Sequence, residues 1–355
     1  MANVIIPPGW RIPDREATPQ SVYLDRRAFL KSSTVGMAAL GLGACGSEFT
    51  PSELVDETPD VPVAKAGCDQ ATMLHPLQSI CPSPTANLYP ATRNSTFDVP
   101  GPSQTERLLA AVHNNFYEFI GSLYNVNLNW PYVGPFKVWP WSVEVVGAAE
   151  TTGVFDISDL EREFGLEERV YRHRCVERWS MVVPWTGYPL AKLIDKFRPL
   201  SSANYVRFVS FNRPEEAVGQ RIQPSFPWPY FEALRLDEAR HELAFVVTGV
   251  YGEPLPKQHG APWRLALPWK YGFKSLKSMV RIEFTEERPS TFWTTLAADE
   301  YGFYSNVNPD VAHPRWSQAV ETPLGTETPI NTQLFNGYQS YVADLYDPQL
   351  LTYIS

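Results

Sequence analysis

Cys175 stands in the run Arg174-Cys175-Val176-Glu177-Arg178-Trp179-Ser180, with Arg169, Arg172 and His173 just ahead of it. Cationic neighbours favour thiolate over thiol and lower a cysteine pKa from its reference of about 8.5. The thiolate is the form that binds a soft metal or attacks an electrophile. The pattern therefore reads as a cysteine with a chemical task, against the alternative of an inert cysteine buried in an apolar strand. Glu177 follows two residues later, a spacing that in a strand puts both side chains on one face. Its competing reading is a surface carboxylate paired with Arg174 or Arg178. The basic residues have a plain reading too: Arg169 and Arg172 fit a solvated edge paired with Glu161, Glu163, Glu167 and Glu168.

Strands must dominate the scaffold that holds this segment. Runs rich in β-branched and aromatic residues predict strands over 143–146, 205–211, 243–248, 263–267 and 280–284. Ser103 with Glu106 forms a capping-box pattern opening a helix through Leu108, Leu109 and Val112. That helix delivers the polar cluster Asn114-Asn115-Phe116-Tyr117-Glu118 at its end. Ser158 with Glu161 repeats the pattern on a short helix that Gly165 ends, and 188–197 predicts another with Leu190, Leu193, Ile194 and Phe197 on one side. The fold class expected is a mixed, strand-rich α+β domain.

The chain has 355 residues, 44% of them apolar, with 11 Trp, 17 Tyr and 19 Phe, enough for a substantial core. A net charge of −9 argues against binding a phosphate backbone, so nucleic acid is not an expected partner. Thirty-three prolines suit strands, turns and irregular connections better than a helical bundle. Metal-finger spacings are absent, and six dispersed histidines make no zinc site. The P-loop pattern GxxxxGK[ST] is absent as well.

The N-terminus carries an address. Asp25-Arg26-Arg27-Ala28-Phe29-Leu30-Lys31 precedes a modestly apolar segment over 34–44, the layout of a twin-arginine export signal. That segment is shorter than the roughly 20 apolar residues a membrane-spanning helix requires. Leu42-Gly43-Ala44-Cys45 has the form of a lipobox, with a lipid anchor at Cys45 as one outcome and ordinary cleavage as the other. With Cys45 in the signal region, Cys68 and Cys81 are left as a candidate disulfide pair, which an exported protein permits. The organisation expected is a signal region over 1–45, a Pro-rich extended arm over 46–102 and one catalytic domain over 103–355.

Four motifs carry a family resemblance: 113–119 (HNNFYEF), 174–190 (RCVERWSMVVPWTGYPL), 261–278 (APWRLALPWKYGFKSLKS) and 299–319 (DEYGFYSNVNPDVAHPRWSQA). Over about 105–340 the chain resembles the periplasmic, molybdopterin-dependent protein-methionine-sulfoxide reductase catalytic subunits, a family of the sulfite-oxidase fold. The resemblance implies that Cys175 is the protein ligand of one molybdenum per chain, held with a pterin in the form free of an attached mononucleotide. It implies cofactor contacts at Asn114, Tyr117, Glu118, Ser210, His259, Arg264, Ser275, Leu276 and Lys277, with Arg264 on the phosphate. Ser210 stands where the family usually has threonine, and His259 where asparagine is expected. Beside that metal, Glu177 would position or protonate a departing oxygen and Asn115 would face substrate. Trp179, Trp185, Tyr301, Phe303 and Tyr304 would wall a thioether pocket, since sulfur packs well on aromatic rings; core packing is the alternative for each.

The activity implied is reduction of methionine sulfoxide in oxidised periplasmic proteins, with electrons from a membrane haem-b, quinol-linked subunit. The rival readings are another molybdenum oxidoreductase of this fold, oxidising sulfite or reducing small S- or N-oxides, a non-catalytic envelope lipoprotein, and a metal-free thiol reductase.

Overall fold

The structure, a computed structural model, describes residues 68, 73, 75–98, 103–119 and 129–347. The paired arginines, the apolar segment and Cys45 lie outside the described residues, as does most of the chain between 46 and 74.

Along the described chain come β1 (Thr92–Arg93), helix α1 (Arg107–Val112), β2 (Ser142–Gly147), β3 (Gly153–Asp156) and helix α2 (Ile157–Phe164). A long hairpin, β4 (Glu167–Arg174) and β5 (Trp179–Pro189), leads into helix α3 (Leu190–Phe197). Then follow β6 (Tyr205–Ser210), β7 (Phe231–Arg235), β8 (Phe245–Val250), β9 (Glu253–Pro254), β10 (Arg264–Ala266), β11 (Met279–Thr285), helix α4 (Phe292–Leu296), β12 (Val320–Pro323) and β13 (Ile330–Asn331), with further short helices between.

The strands make two mixed sheets, one of eight strands and one of five, so the fold is α+β as expected. In the larger, β5 is central: it pairs antiparallel with β4 and β8 and parallel with β12. The smaller runs β3-β2-β11-β6-β7. Burial of Trp185, Trp263, Trp269, Tyr171 and Phe197 marks the core; each large aromatic side chain contributes a few kcal/mol by leaving water. Helix α3 turns Leu190, Leu193, Ile194 and Phe197 into that core. It begins two residues later than its apolar pattern suggested, because Tyr188 and Pro189 still pair with β8.

Two helix starts differ from expectation. Glu106 itself caps α1, its carboxylate accepting from Leu108 N and Leu109 N at 3.1 Å. The preceding residues are extended, since Thr105 exchanges hydrogen bonds with Val182 at 2.8 and 3.0 Å. At α2 the cap is Asp156, accepting from Ser158 N at 2.7 Å, while Glu161 turns inward to accept from the Thr85 hydroxyl. Gly165 ends α2 with φ of 67°, a region costly for a side chain with Cβ. Ahead of α1, residues 75–98 lie along the domain: β1 pairs with β4, Ile80 bridges to Pro256, and Cys68 and Cys81 are joined in a disulfide.

Candidate functional site

The β4–β5 hairpin ends in a four-residue turn, Cys175 to Arg178, closed by Arg178 N donating to Cys175 O at 3.0 Å, with Arg178 at φ 73°. Cys175 is therefore not in a strand, and the expectation that strand alternation places Glu177 beside it is overturned. The turn achieves a similar proximity by another route: the sulfur accepts from Glu177 N at 3.4 Å and both side chains face one cavity.

The expected cationic field is corrected as well. Arg169 donates to Glu167, to Tyr171 OH and to Glu242 O, and stacks 3.7 Å over Phe97. Arg172 and Arg174 both pair with the buried Glu321, at 3.2 and 2.9 Å. These arginines are buried structural ties rather than a solvated edge; Arg178 is exposed at the tip of the turn. Burial, more than the charge of Glu177, pushes the Cys175 thiol up, and Arg174 and Lys277 offset that only in part. A metal reverses this balance, because a coordinating thiol is deprotonated outright.

A cavity open to solvent lies beside Cys175, with about 780 Å³ of space when the solvent at its mouth is included. Of the expected site residues it is lined by Asn114, Asn115, Tyr117, Glu118, Cys175, Glu177, Arg264, Ser275, Leu276 and Lys277. Helix α1 ends as expected at the polar cluster, with Asn114 Nδ2 donating back to Ala111 O at 3.0 Å. Asn115 Nδ2 lies 3.9 Å from the Cys175 sulfur, and its Oδ1 is buried with no hydrogen-bond partner among the described residues.

Arg264 enters from β10. Its guanidinium lies 5.2 Å from the Trp185 ring centre and donates only to backbone carbonyls: Leu265 O at 3.0 Å, His259 O at 2.9 Å and Ser275 O at 3.2 Å. Among the described residues no carboxylate pairs with it, and burial lowers its pKa to about 9, so it keeps its charge at neutral pH. Lys277 donates to Asn115 O. Burial pulls its ammonium down and pushes the nearby Glu118 carboxyl up, while their mutual attraction opposes both shifts. The loop carrying Lys277 packs on Gly260, where φ is 98° and an added Cβ would lie 2.6 Å from Lys277 Cγ.

Ser210 and His259 stand behind this lining. Ser210 Oγ donates to Ser278 O at 3.5 Å and lies near enough to Glu118 to oppose the rise that burial causes in its carboxyl. His259 is held neutral by burial and by Arg264, with Nδ1 unpartnered among the described residues. The aromatic wall is only partly the one expected. Trp179 and Tyr301 line the cavity, whereas Trp185 lies fully buried beneath Arg264, Phe303 packs on Lys274 and Tyr205, and Tyr304 packs on Tyr346 and Arg235.

Several lining residues were not singled out by sequence. Trp293, on α4, lies tilted 4.8 Å from the Tyr301 ring and edge-on 5.1 Å from the Tyr117 ring; it lies outside every motif and only the fold delivers it. His173, read in sequence as a cation, is kept neutral by burial and by Arg264 and Lys277. Gly272 faces it so closely that a Cβ would lie 2.4 Å from Nε2, a signal present in the Tyr-Gly-Phe motif. Chemically, the cavity offers one thiol with the Met181 thioether also in its wall, two cations held without salt-bridge partners among the described residues, polar atoms awaiting partners, and aromatic rings. It can hold an anionic group with a soft metal, and admit an apolar sulfur-bearing side chain.

Comparison with known proteins agrees with that chemistry. Residues 132–293 match the family model described as oxidoreductase molybdopterin binding domain. The chain is 41% identical over 338 residues to the protein-methionine-sulfoxide reductase catalytic subunit MsrP of Pseudomonas syringae pv. tomato, covering 94% of each. Among solved structures, the sulfane dehydrogenase SoxCD from Paracoccus pantotrophus superposes with a TM-score of 0.38 and 14% identity, over 45% of this chain and 42% of that one.

Proposed function

The chain belongs to the family of protein-methionine-sulfoxide reductase catalytic subunits, and from that premise we propose that its molybdopterin cofactor sits in the cavity beside Cys175, with the Cys175 sulfur as the protein ligand of the metal. It is an oxidoreductase that reduces methionine sulfoxide with a molybdenum–molybdopterin cofactor. The single observation that carries the site assignment is the buried, carboxylate-free guanidinium of Arg264 on the wall of a cavity that also exposes the only free thiol among the described residues. An uncompensated buried cation costs several kcal/mol, and an anionic phosphate arriving with the pterin offsets that cost through charge-assisted hydrogen bonds.

The other residues fit the group. Lys277 adds a second cation, and Asn114, Tyr117 and Glu118 present amide, hydroxyl and carboxyl groups to a pterin edge. Ser275 and Leu276 hold the loop below it: Ser275 Oγ accepts from Leu267 N at 3.1 Å and Leu276 O accepts from Leu265 N at 2.9 Å. Ser210 acts through Glu118, and His259 through the carbonyl it gives Arg264. When bound, the cofactor supplies two-electron oxygen-atom chemistry, whose balance is sulfoxide plus two electrons and two protons giving thioether and water. Tyr117, Trp293 and Tyr301 receive the sulfur-bearing side chain on aromatic faces. Asn115, with its unpartnered Oδ1, orients what lies next to the sulfur. Glu177 carries the carboxyl that positions or protonates the departing oxygen.

The finer reading is an exported enzyme. The twin-arginine pattern at Arg26 and Arg27 supports delivery to the periplasm, with oxidised periplasmic proteins as substrates and a lipid anchor at Cys45 as an option. "Catalytic subunit" in the relative's name supports a second subunit, for which we take a membrane haem-b, quinol-linked protein. The test is turnover of protein-bound methionine sulfoxide by purified, molybdenum-loaded protein. Reduced viologen is expected to drive it, and NADPH and thioredoxin are not. Comparable rates with thioredoxin would instead make Cys175 a thiol nucleophile.

A further inference from the structure

The motif over 299–319 is long and distinctive, yet past Tyr301 it contributes nothing to the cavity lining. Its last residues lie behind the Cys175 turn. Trp316 Nε1 and Gln318 Nε2 both donate to Val176 O, at 2.8 and 2.9 Å. Thr322 N donates to Arg178 O and Leu324 N to Ser180 O, each at 2.8 Å. Cys175 O accepts from Arg178 N and from the Arg174 guanidinium. That guanidinium is fully buried and gripped by Glu321 Oε2 at 2.9 Å, Gln318 Oε1 at 2.8 Å and Thr332 Oγ1 at 3.2 Å. Thus the carbonyls of Cys175, Val176 and Arg178 all carry hydrogen bonds from a segment about 140 residues away, or from an arginine that this segment holds.

The turn holds Arg178 in the left-handed region, which is unfavourable for a side chain, and beyond its own Arg178 N to Cys175 O bond it is these external donors that keep it there. We infer that the 316–322 segment is a clamp that fixes where the Cys175 sulfur points, with Arg174, Trp316, Gln318 and Glu321 as positioning residues for it. The inference rests on the reading of Cys175 as the metal ligand and deepens it by assigning a task to the unabsorbed motif. Outer partners of a ligating residue are worth on the order of 10–100-fold in affinity or activity.

Trp316→Phe and Gln318→Met in the full-length, exported enzyme test it. Each keeps most of the side-chain bulk and removes one donor from Val176 O; Phe also keeps an aromatic face for the His313 stack, now 4.0 Å away. In each variant we expect near wild-type molybdenum per chain, an altered paramagnetic signal of the metal, and kcat about 10-fold lower with KM little changed. Amide exchange at Cys175 and Arg178, read on cofactor-free protein, is expected to speed up about 10-fold while exchange in β5 and β8 stays as in wild type. Unchanged exchange and an unchanged signal in both variants overturn the clamp. Wild-type protein that folds but never acquires molybdenum overturns the ligand reading instead, and the exchange measurement still decides the clamp. Should one variant fail to fold, the other carries both readouts.

Discussion

Two groups of buried cations flank Cys175, and they are built in opposite ways. Behind the turn, Arg172 and Arg174 spend their donors on Glu321, side-chain amides, a hydroxyl and carbonyls. In front of it, Arg264 and Lys277 reach the cavity wall with carbonyl partners and no salt bridge among the described residues. The first group is next to the cysteine in sequence; the second is 89 or more positions away. Chain proximity therefore pointed to cations that are mostly tied to partners elsewhere; of them Arg174, with the distant Lys277, acts on the thiol. Paired buried charges hold a structure in register, whereas an unpaired one marks where a charge of opposite sign is to arrive.

The largest effect expected is at the sulfur between the groups. Cys175→Ala removes the only free thiol among the described residues and leaves both cation groups in place. Molybdenum content and reductase activity are expected to fall below detection. Stability should change by only about 1 kcal/mol, as for a small buried truncation, which denaturant titration of cofactor-free protein checks. Retained activity would mean that the cavity serves something other than a thiolate-bound metal.

Neutralising one charge on each side of the turn should have opposite consequences. Glu321→Gln leaves Arg172 and Arg174 buried without their carboxylate, and a cost of about 3–5 kcal/mol is expected. Arg264→Gln keeps donors for at most two of the three carbonyls while removing a charge that has no carboxylate partner among the described residues; the two changes oppose each other, so cofactor-free stability should stay within about 1 kcal/mol of wild type. Its penalty should appear in cofactor retention, lowered on the order of 10–100-fold. Equal losses of stability in the two variants would erase the distinction between paired and unpaired groups.

The same contrast explains what was legible in the sequence. Elements with a clean local pattern were readable: α3 from its apolar side, α2 from its terminal Gly165, and the strands now numbered β2, β6, β8, β10 and β11 to within about two residues. Helix starts were misread where a side chain had a better use elsewhere, as Glu161 does on Thr85. Most of the expected cofactor contacts do line one cavity with Cys175, because long motifs fix which residues converge. Trp293, and the partners that neutralise Arg172 and Arg174, were not readable. Both depend on contacts across more than 100 residues that leave no local periodicity.

Glu161 sharpens the comparison with the smallest effect. It is a third kind of buried charge: it accepts from the Thr85 hydroxyl, has no cation within salt-bridge distance among the described residues, and does not line the cavity. Arg264 cannot shed its charge at neutral pH, but a carboxyl can take a proton, and burial raises Glu161 to about 7 against an ordinary value of 4.5. The sign follows. Between those values the native state binds a proton that the unfolded state has released, so stability is fully present below about 4.5 and is lost as pH rises through about 7. Glu161→Gln mimics the protonated acid and can still accept from Thr85. The variant should match wild type near pH 4 and exceed it by about 2–3 kcal/mol at pH 8, with a flatter profile between. Denaturant titrations of cofactor-free protein across that range decide it. A variant less stable than wild type at pH 8 would mean that Glu161 stays ionised and has a compensating charge, which would place it with the paired group after all.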